Sequence, residues 1–231
     1  FKYYAPTKIL FGKNTEAEVG ELCKTQGASK VLVHFGGSSA KKSGLLDRVC
    51  GALQEAGLHY VTLGGVVPNP RLSKVYEGIE ICRREKVDFI LAVGGELTCT
   101  LPPYQTASGC TDIIVHTLER YFTKPGVTSL ALTDGMAEAL LRNVMRNARL
   151  ALQKPADYDV RAEIMWAGTL SHNDITGDRS QGDWASHQLE HELGGMFDIA
   201  HGAGLAAIWG SWARYVLKQN PCRFAQLAVN V

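Results

Sequence analysis

Short apolar runs and helical stripes alternate over the first 95 residues. Val31 to Phe35, Tyr60 to Leu63 and Phe89 to Val93 are rich in β-branched, aromatic and other apolar side chains. Each run closes on a glycine pair: Gly36-Gly37, Gly64-Gly65 and Gly94-Gly95. Runs of this kind predict buried strands of a parallel sheet. Between them, Leu46, Val49, Leu53 and Ala56 recur at steps of three and four, and Gly57 stops that helix. Leu72, Val75, Ile79 and Cys82 form a second stripe, with Arg83, Arg84 and Lys86 at its end. The strand–helix–strand–helix–strand order predicts a doubly wound, nucleotide-binding unit.

From Leu101 the pattern becomes helical throughout. Helices are predicted over 106–122, 132–152, 160–170, 183–193, 204–217 and 223–229. The change falls near residues 95–102, so an α/β part over 1–100 is expected to precede an all-helical part over 101–231. One junction breaks the logic. A parallel strand ending at Gly95 needs a crossover, yet the chain runs into Glu96 and on to Pro102-Pro103. Chain is therefore expected to be missing after Gly95 and after Val231.

Composition narrows the function classes. Of 231 residues, 45% are hydrophobic and 20% charged, which excludes a largely disordered chain. With 24 basic against 23 acidic residues the net charge is +1, which argues against a nucleic-acid partner. No apolar run reaches membrane-spanning length. The start, Phe1 to Pro6, has no signal-peptide pattern and reads as a trimmed end. Six scattered cysteines form no C-x-x-C pair, and reduced thiols are expected.

Two clusters could carry chemistry. Asp112 and His116 are four apart, on one face if helical, and could grip one divalent cation. His187 and His191 are also four apart, and His201 follows ten residues later. Gln188 follows His187 where a zinc protease needs Glu, so that reading weakens. One carboxylate and three imidazoles suit Fe(II) or Zn(II), and an open position on such an ion is a Lewis acid. Spacing alone does not choose between His187 and His191. A third clue is Gly36-Gly37-Ser38-Ser39 after the first strand, whose backbone and hydroxyls suit a phosphate. Lys41 and Lys42 follow, and no acidic residue stands ready for a ribose hydroxyl. This leans towards NADP(H) over NAD(H).

Pro6 to Gly12, Pro68-Asn69-Pro70, Ala92 to Gly95, Thr100 to Pro103, Asp112 to Glu119, and Gly182 to Ala185 leading to His201-Gly202 together resemble the iron-containing (group III) alcohol dehydrogenases. The similarity is greatest to their NAD(P)H-dependent butanol dehydrogenase branch. It implies a dehydroquinate synthase-like architecture: an α/β dinucleotide-binding domain, then an all-α metal-binding domain, with the active site between them. It implies Asp112, His116, His187 and His201 as ligands of Fe(II), or of zinc or nickel. His191 would lie near the nicotinamide and assist proton transfer, and Glu119 would support the ligands or the fold. Cofactor contacts are expected from Gly36, Gly37, Ser38, Ser39, Asn69, Gly94, Gly95, Thr100 and Leu101. A cytoplasmic homodimer or larger homo-oligomer acting on small primary alcohols or aldehydes is implied. Trp166, Trp184 and Phe197 could line an apolar pocket, but core packing is the expected role.

The sequence departs from the family pattern where relatives carry Gly-Gly-Gly-Ser followed by an Asp and a Lys. Two other readings therefore stay open. One is a metal- and NAD-dependent lyase of the dehydroquinate synthase type, although those enzymes use Glu where Asp112 stands. The other is a truncated, non-catalytic member that binds metal alone.

Overall fold

The computed structural model describes residues 6–37, 39–67, 69–94, 101–122, 130–177 and 182–231. The chain divides into two compact units, Phe1–Glu96 and Leu97–Val231.

The first unit carries strands β1 (Lys30–Phe35), β2 (His59–Leu63) and β3 (Phe89–Val93), and helices α1 (Val19–Thr25), α2 (Ser39–Lys42), α3 (Leu45–Glu55) and α4 (Leu72–Glu85). Among the described residues the strands form one parallel sheet in the order β2-β1-β3, with Val31 opposite both Tyr60 and Phe89. Alternation puts Val31, Val33 and Phe35 on one face, where they pack with Leu46, Val49 and Leu53 of α3 and with Cys23 of α1. The expectation of three buried strands is corrected here. Only β1 is buried along its length, and Ile90 of β3 is 64% exposed. β2 and β3 are the two edges of a three-stranded sheet, so half of their surface has no neighbouring strand. The α4 stripe differs too: Leu72, Val75 and Ile79 are exposed and no residue of α4 is buried. α1 has too short a periodic stretch to be read from sequence, seven residues in all.

The second unit is helical among its described residues: α5 (Pro103–Tyr121), α6 (Ala131–Gln153), α7 (Tyr158–Ser171), α8 (Ala185–Phe197), α9 (His201–Val216) and α10 (Pro221–Asn230). Pro103 and Pro221 occupy first turns, where a missing N–H costs nothing. Cys110 and Ile113 of α5, Leu140 and Val144 of α6, and Ile164 and Ala167 of α7 form one apolar core. A polar lock joins α5, α6 and α10. Arg223 donates from Nη2 to the Tyr121 carbonyl at 2.8 Å and to Asp134 at 2.6 Å, and its guanidinium lies over the Tyr121 ring. Core packing is not the role of Trp166 and Phe197, which are 41% and 62% exposed. The described cysteines are all free thiols. No described helix is long and apolar enough to cross a membrane.

Candidate functional site

α5 carries Asp112 and His116 one turn apart, α8 brings His187 in its first turn, and α9 opens on His201. The side chains converge on one atom. Asp112 Oδ1 lies 3.1 Å from His116 Nδ1, 3.3 Å from His201 Nε2 and 3.6 Å from His187 Nε2. His187 Nε2 and His116 Nδ1 are 3.2 Å apart.

Two buried carboxylates set the orientation of two of these rings. Glu119, fully buried, accepts from His187 Nδ1–H. Its other oxygen accepts the backbone N–H of Ser186 at 2.9 Å and of His187 at 3.3 Å. Those are first-turn amides of α8, which have no partner within the helix and favour a negative charge. Glu190 accepts from His201 Nδ1–H in the same way. With each Nδ1 proton engaged, Nε2 is the nitrogen that His187 and His201 turn to Asp112.

Two glycines let the helices approach. A Cβ on Gly202 would sit 1.9 Å from the Ser108 carbonyl oxygen of α5. One on Gly204 would meet Glu190 Cγ and Oε1 at 2.7 Å.

The electrostatics follow from these contacts. Burial works against the Asp112 carboxylate, but its four histidine neighbours, His116, His172, His187 and His201, outweigh burial and hold its pKa far below the usual range. Burial also opposes a charged His187, yet Asp112 and Glu119 overcome it and push its pKa up to about 9. His201 is raised by Asp112 against burial, with help from Glu190.

The donor set fits a divalent cation. Asp112 Oδ1 is buried and has no hydrogen bond, and His116 Nδ1 beside it also lies 3.0 Å from the Asp112 backbone carbonyl oxygen. For bonds of about 2.0–2.1 Å, neighbouring donors of a tetrahedral ion lie about 3.3 Å apart, the separation these atoms already have.

His191 lies outside this convergence. It is exposed, one turn beyond His187, with its ring stacked on His201 at 5.4 Å between centroids. Trp184 is half-buried, edge-on to His116 and His187 at 5.5 and 5.3 Å, with Arg120 against its ring. The sequence reading missed His172, whose Nε2 is 3.7 Å from Asp112 Oδ2. No spacing rule ties it to α5. The one signal was a histidine in a polar run, Ser171 to Asp174, closing a helix.

The residues expected to hold a dinucleotide fall in two groups. Gly36 and Gly37 follow β1, Ser39 opens α2, Asn69 lies between β2 and α4, and Gly94 follows β3. The chain leaves β1 for β2 on one side and then places β3 on the other. The order reverses between β1 and β3, and a parallel sheet binds ligands outside its carboxyl ends at such a switch point. A Cβ on Gly37 or Gly94 would meet nothing within 4 Å, so packing does not demand glycine there, and a ligand could approach the backbone closely. Leu101 belongs to the helical unit, just before α5. Ser38, Gly95 and Thr100 lie outside the described residues.

Residues 6–98 match the family model described as iron-containing alcohol dehydrogenase, and residues 106–231 match the C-terminal model of the same family. NADH-dependent butanol dehydrogenase A of Clostridium acetobutylicum is 31% identical, with all of this chain and 79% of that protein aligned. That alignment runs over 312 residues against 231 here, so the relative carries internal segments with no counterpart in this chain. The NADPH-dependent aldehyde reductase YqhD of Escherichia coli is 29% identical over 90% of this chain and 74% of its own. The crystal structure of NADH-dependent butanol dehydrogenase A from Thermotoga maritima superposes with a TM-score of 0.92 at 30% identity, covering 100% of this chain and 77% of that one.

Proposed function

Because this chain belongs to the iron-containing alcohol dehydrogenase family, we propose that it interconverts small primary alcohols and their aldehydes with a nicotinamide cofactor, using one divalent cation held by Asp112, His116, His187 and His201. The carrying observation is the convergence of three imidazole nitrogens within 3.1–3.6 Å of the buried Asp112 Oδ1. Iron is the cation proposed; zinc and nickel suit the same donors. When bound, such an ion polarises a carbonyl or alcohol oxygen, and the nicotinamide takes or gives the hydride.

The chain's own residues do the holding and aiming. Glu119 and Glu190 fix which nitrogen of His187 and His201 faces the ion, as carboxylates behind metal-binding histidines do. Trp184 shields the ring edges of His116 and His187. His191, exposed beside His201, is proposed to pass a proton between the reacting oxygen and water. In the α/β unit, the phosphates are proposed to rest on the backbone after β1 and β3, at Gly36, Gly37, Ser39 and Gly94. Asn69 lies at the same carboxyl end of the sheet. Lys41 and Lys42 on α2 favour the extra phosphate of NADP(H). The proposal extends to a cytoplasmic homodimer or larger homo-oligomer.

Asp112→Ala tests the reading. Metal content should fall from about one ion per chain to near zero, and NADPH-dependent butanal reduction should fall at least 100-fold with it. Full metal retention in the variant overturns the ligand set. Full metal with no NADPH binding in the unaltered chain favours a non-catalytic, metal-binding member.

A further inference from the structure

His172 follows α7 directly, and its ring lies on His116 with centroids 3.9 Å apart. Its Nδ1 is 2.8 Å from the Gly168 carbonyl oxygen and 2.7 Å from Ser171 Oγ, while that hydroxyl donates to the same carbonyl at 2.9 Å. A carbonyl only accepts, and the serine proton is already committed, so Nδ1 donates to the carbonyl and Nε2 is the nitrogen turned to Asp112 Oδ2, at 3.7 Å. That separation is too long for a direct N–H···O hydrogen bond. A ring nitrogen bonded to a carbonyl while the other is turned to a carboxylate is the arrangement of a metal-binding histidine.

The ring is also held in place. Arg120, buried on α5, donates from Nη1 to the Ser171 carbonyl and from Nε and Nη2 to Asp174 Oδ1 at 3.1 and 2.8 Å. These contacts clamp the turn on both sides of His172.

We propose that His172 is a fifth protein ligand of the cation held by Asp112, His116, His187 and His201. The inference rests on the metal reading above. Five protein donors leave a sixth position for the substrate oxygen, which favours ions that accept six ligands over tetrahedral zinc. His172 thus sets metal preference as well as affinity.

The test loads the full chain with Co(II) and counts hyperfine-shifted imidazole N–H signals by proton NMR, one per bound histidine. Four signals are expected in the unaltered chain and three in His172→Phe, which keeps a ring against His116. Co(II) affinity by chelator competition should fall at least about 10-fold in the variant. Three signals in the fully loaded, unaltered chain overturn the role of His172 and leave the four-residue site standing. No Co(II) binding by the unaltered chain overturns both. The count in the unaltered chain decides even if the variant fails to fold.

Discussion

Glu119 does two jobs with one carboxylate, capping α8 and fixing the His187 ring. Glu119→Gln removes the charge but keeps the shape. It should weaken metal binding by about 10- to 100-fold, with a smaller loss of folding stability, read by chelator competition and urea unfolding. Equal metal affinity in the two proteins would remove Glu119 from the site. At this scale the sequence was legible where helical spacing does the work. Asp112 and His116 share a face because a helix turns every 3.6 residues. The choice between His187 and His191 was not legible, since two histidines on one face look alike. What separates them is burial: His187 is 6% exposed against α5, while His191 faces outward. His172 was invisible for the same kind of reason, because it reaches Asp112 only through the meeting of α7 with α5.

Between elements, close approach decides. The Gly202 backbone of α9 touches the Ser108 carbonyl of α5. Gly202→Ala must push the helices apart, at a cost of about 1–3 kcal/mol from overpacking. Thermal unfolding should show that loss, together with weaker metal binding as His201 moves away from Asp112. A second link ties β1 to the start of β3. Asp88 accepts the backbone N–H of Ser29 and Lys30 at 3.0 and 2.9 Å, as well as the Ser29 hydroxyl. The Ser29 hydroxyl first, then these amides, lower its pKa. A depressed carboxylate stabilises the fold above its unfolded pKa of about 3.9, and the benefit fades as pH falls through the folded value. Asp88→Asn should therefore be less stable than the parent at pH 7, and the gap should shrink as Asp88 becomes protonated at acid pH in urea titrations. A pH-independent gap would mean that shape, not charge, matters there. Strand and helix positions were readable from period and glycine stops. Burial was not: the α4 stripe keeps its periodicity while Leu72 and Val75 stay exposed. Periodicity reports which residues share a face, and only a neighbouring element makes that face a core.

Over the whole molecule the two units have separate apolar cores, one built around Val31, Val33 and Leu53, the other around Cys110, Val144 and Ile164. A ligand that binds only the folded state adds about 2.7 kcal/mol when present at about one hundred times its Kd. Adding metal should therefore raise hydrogen-exchange protection in α5, α8 and α9, the helices that carry Asp112, His187 and His201. No change there would mean that the ion binds elsewhere. The switch in pattern near residues 95–102 was legible because the hydrophobic period changes from that of strands to that of helices. The interruption expected after Gly95 rests on a strand without its crossover, at a point outside the described residues. All five residues proposed to hold the cation, Asp112, His116, His172, His187 and His201, belong to the unit Leu97–Val231, while the glycines after β1 and β3 that are proposed to take the phosphates belong to Phe1–Glu96. On that proposal, metal choice and phosphate binding are encoded in separate stretches of the gene. Recombination between the two stretches could hand the chain a different nucleotide preference and leave its metal chemistry unaltered.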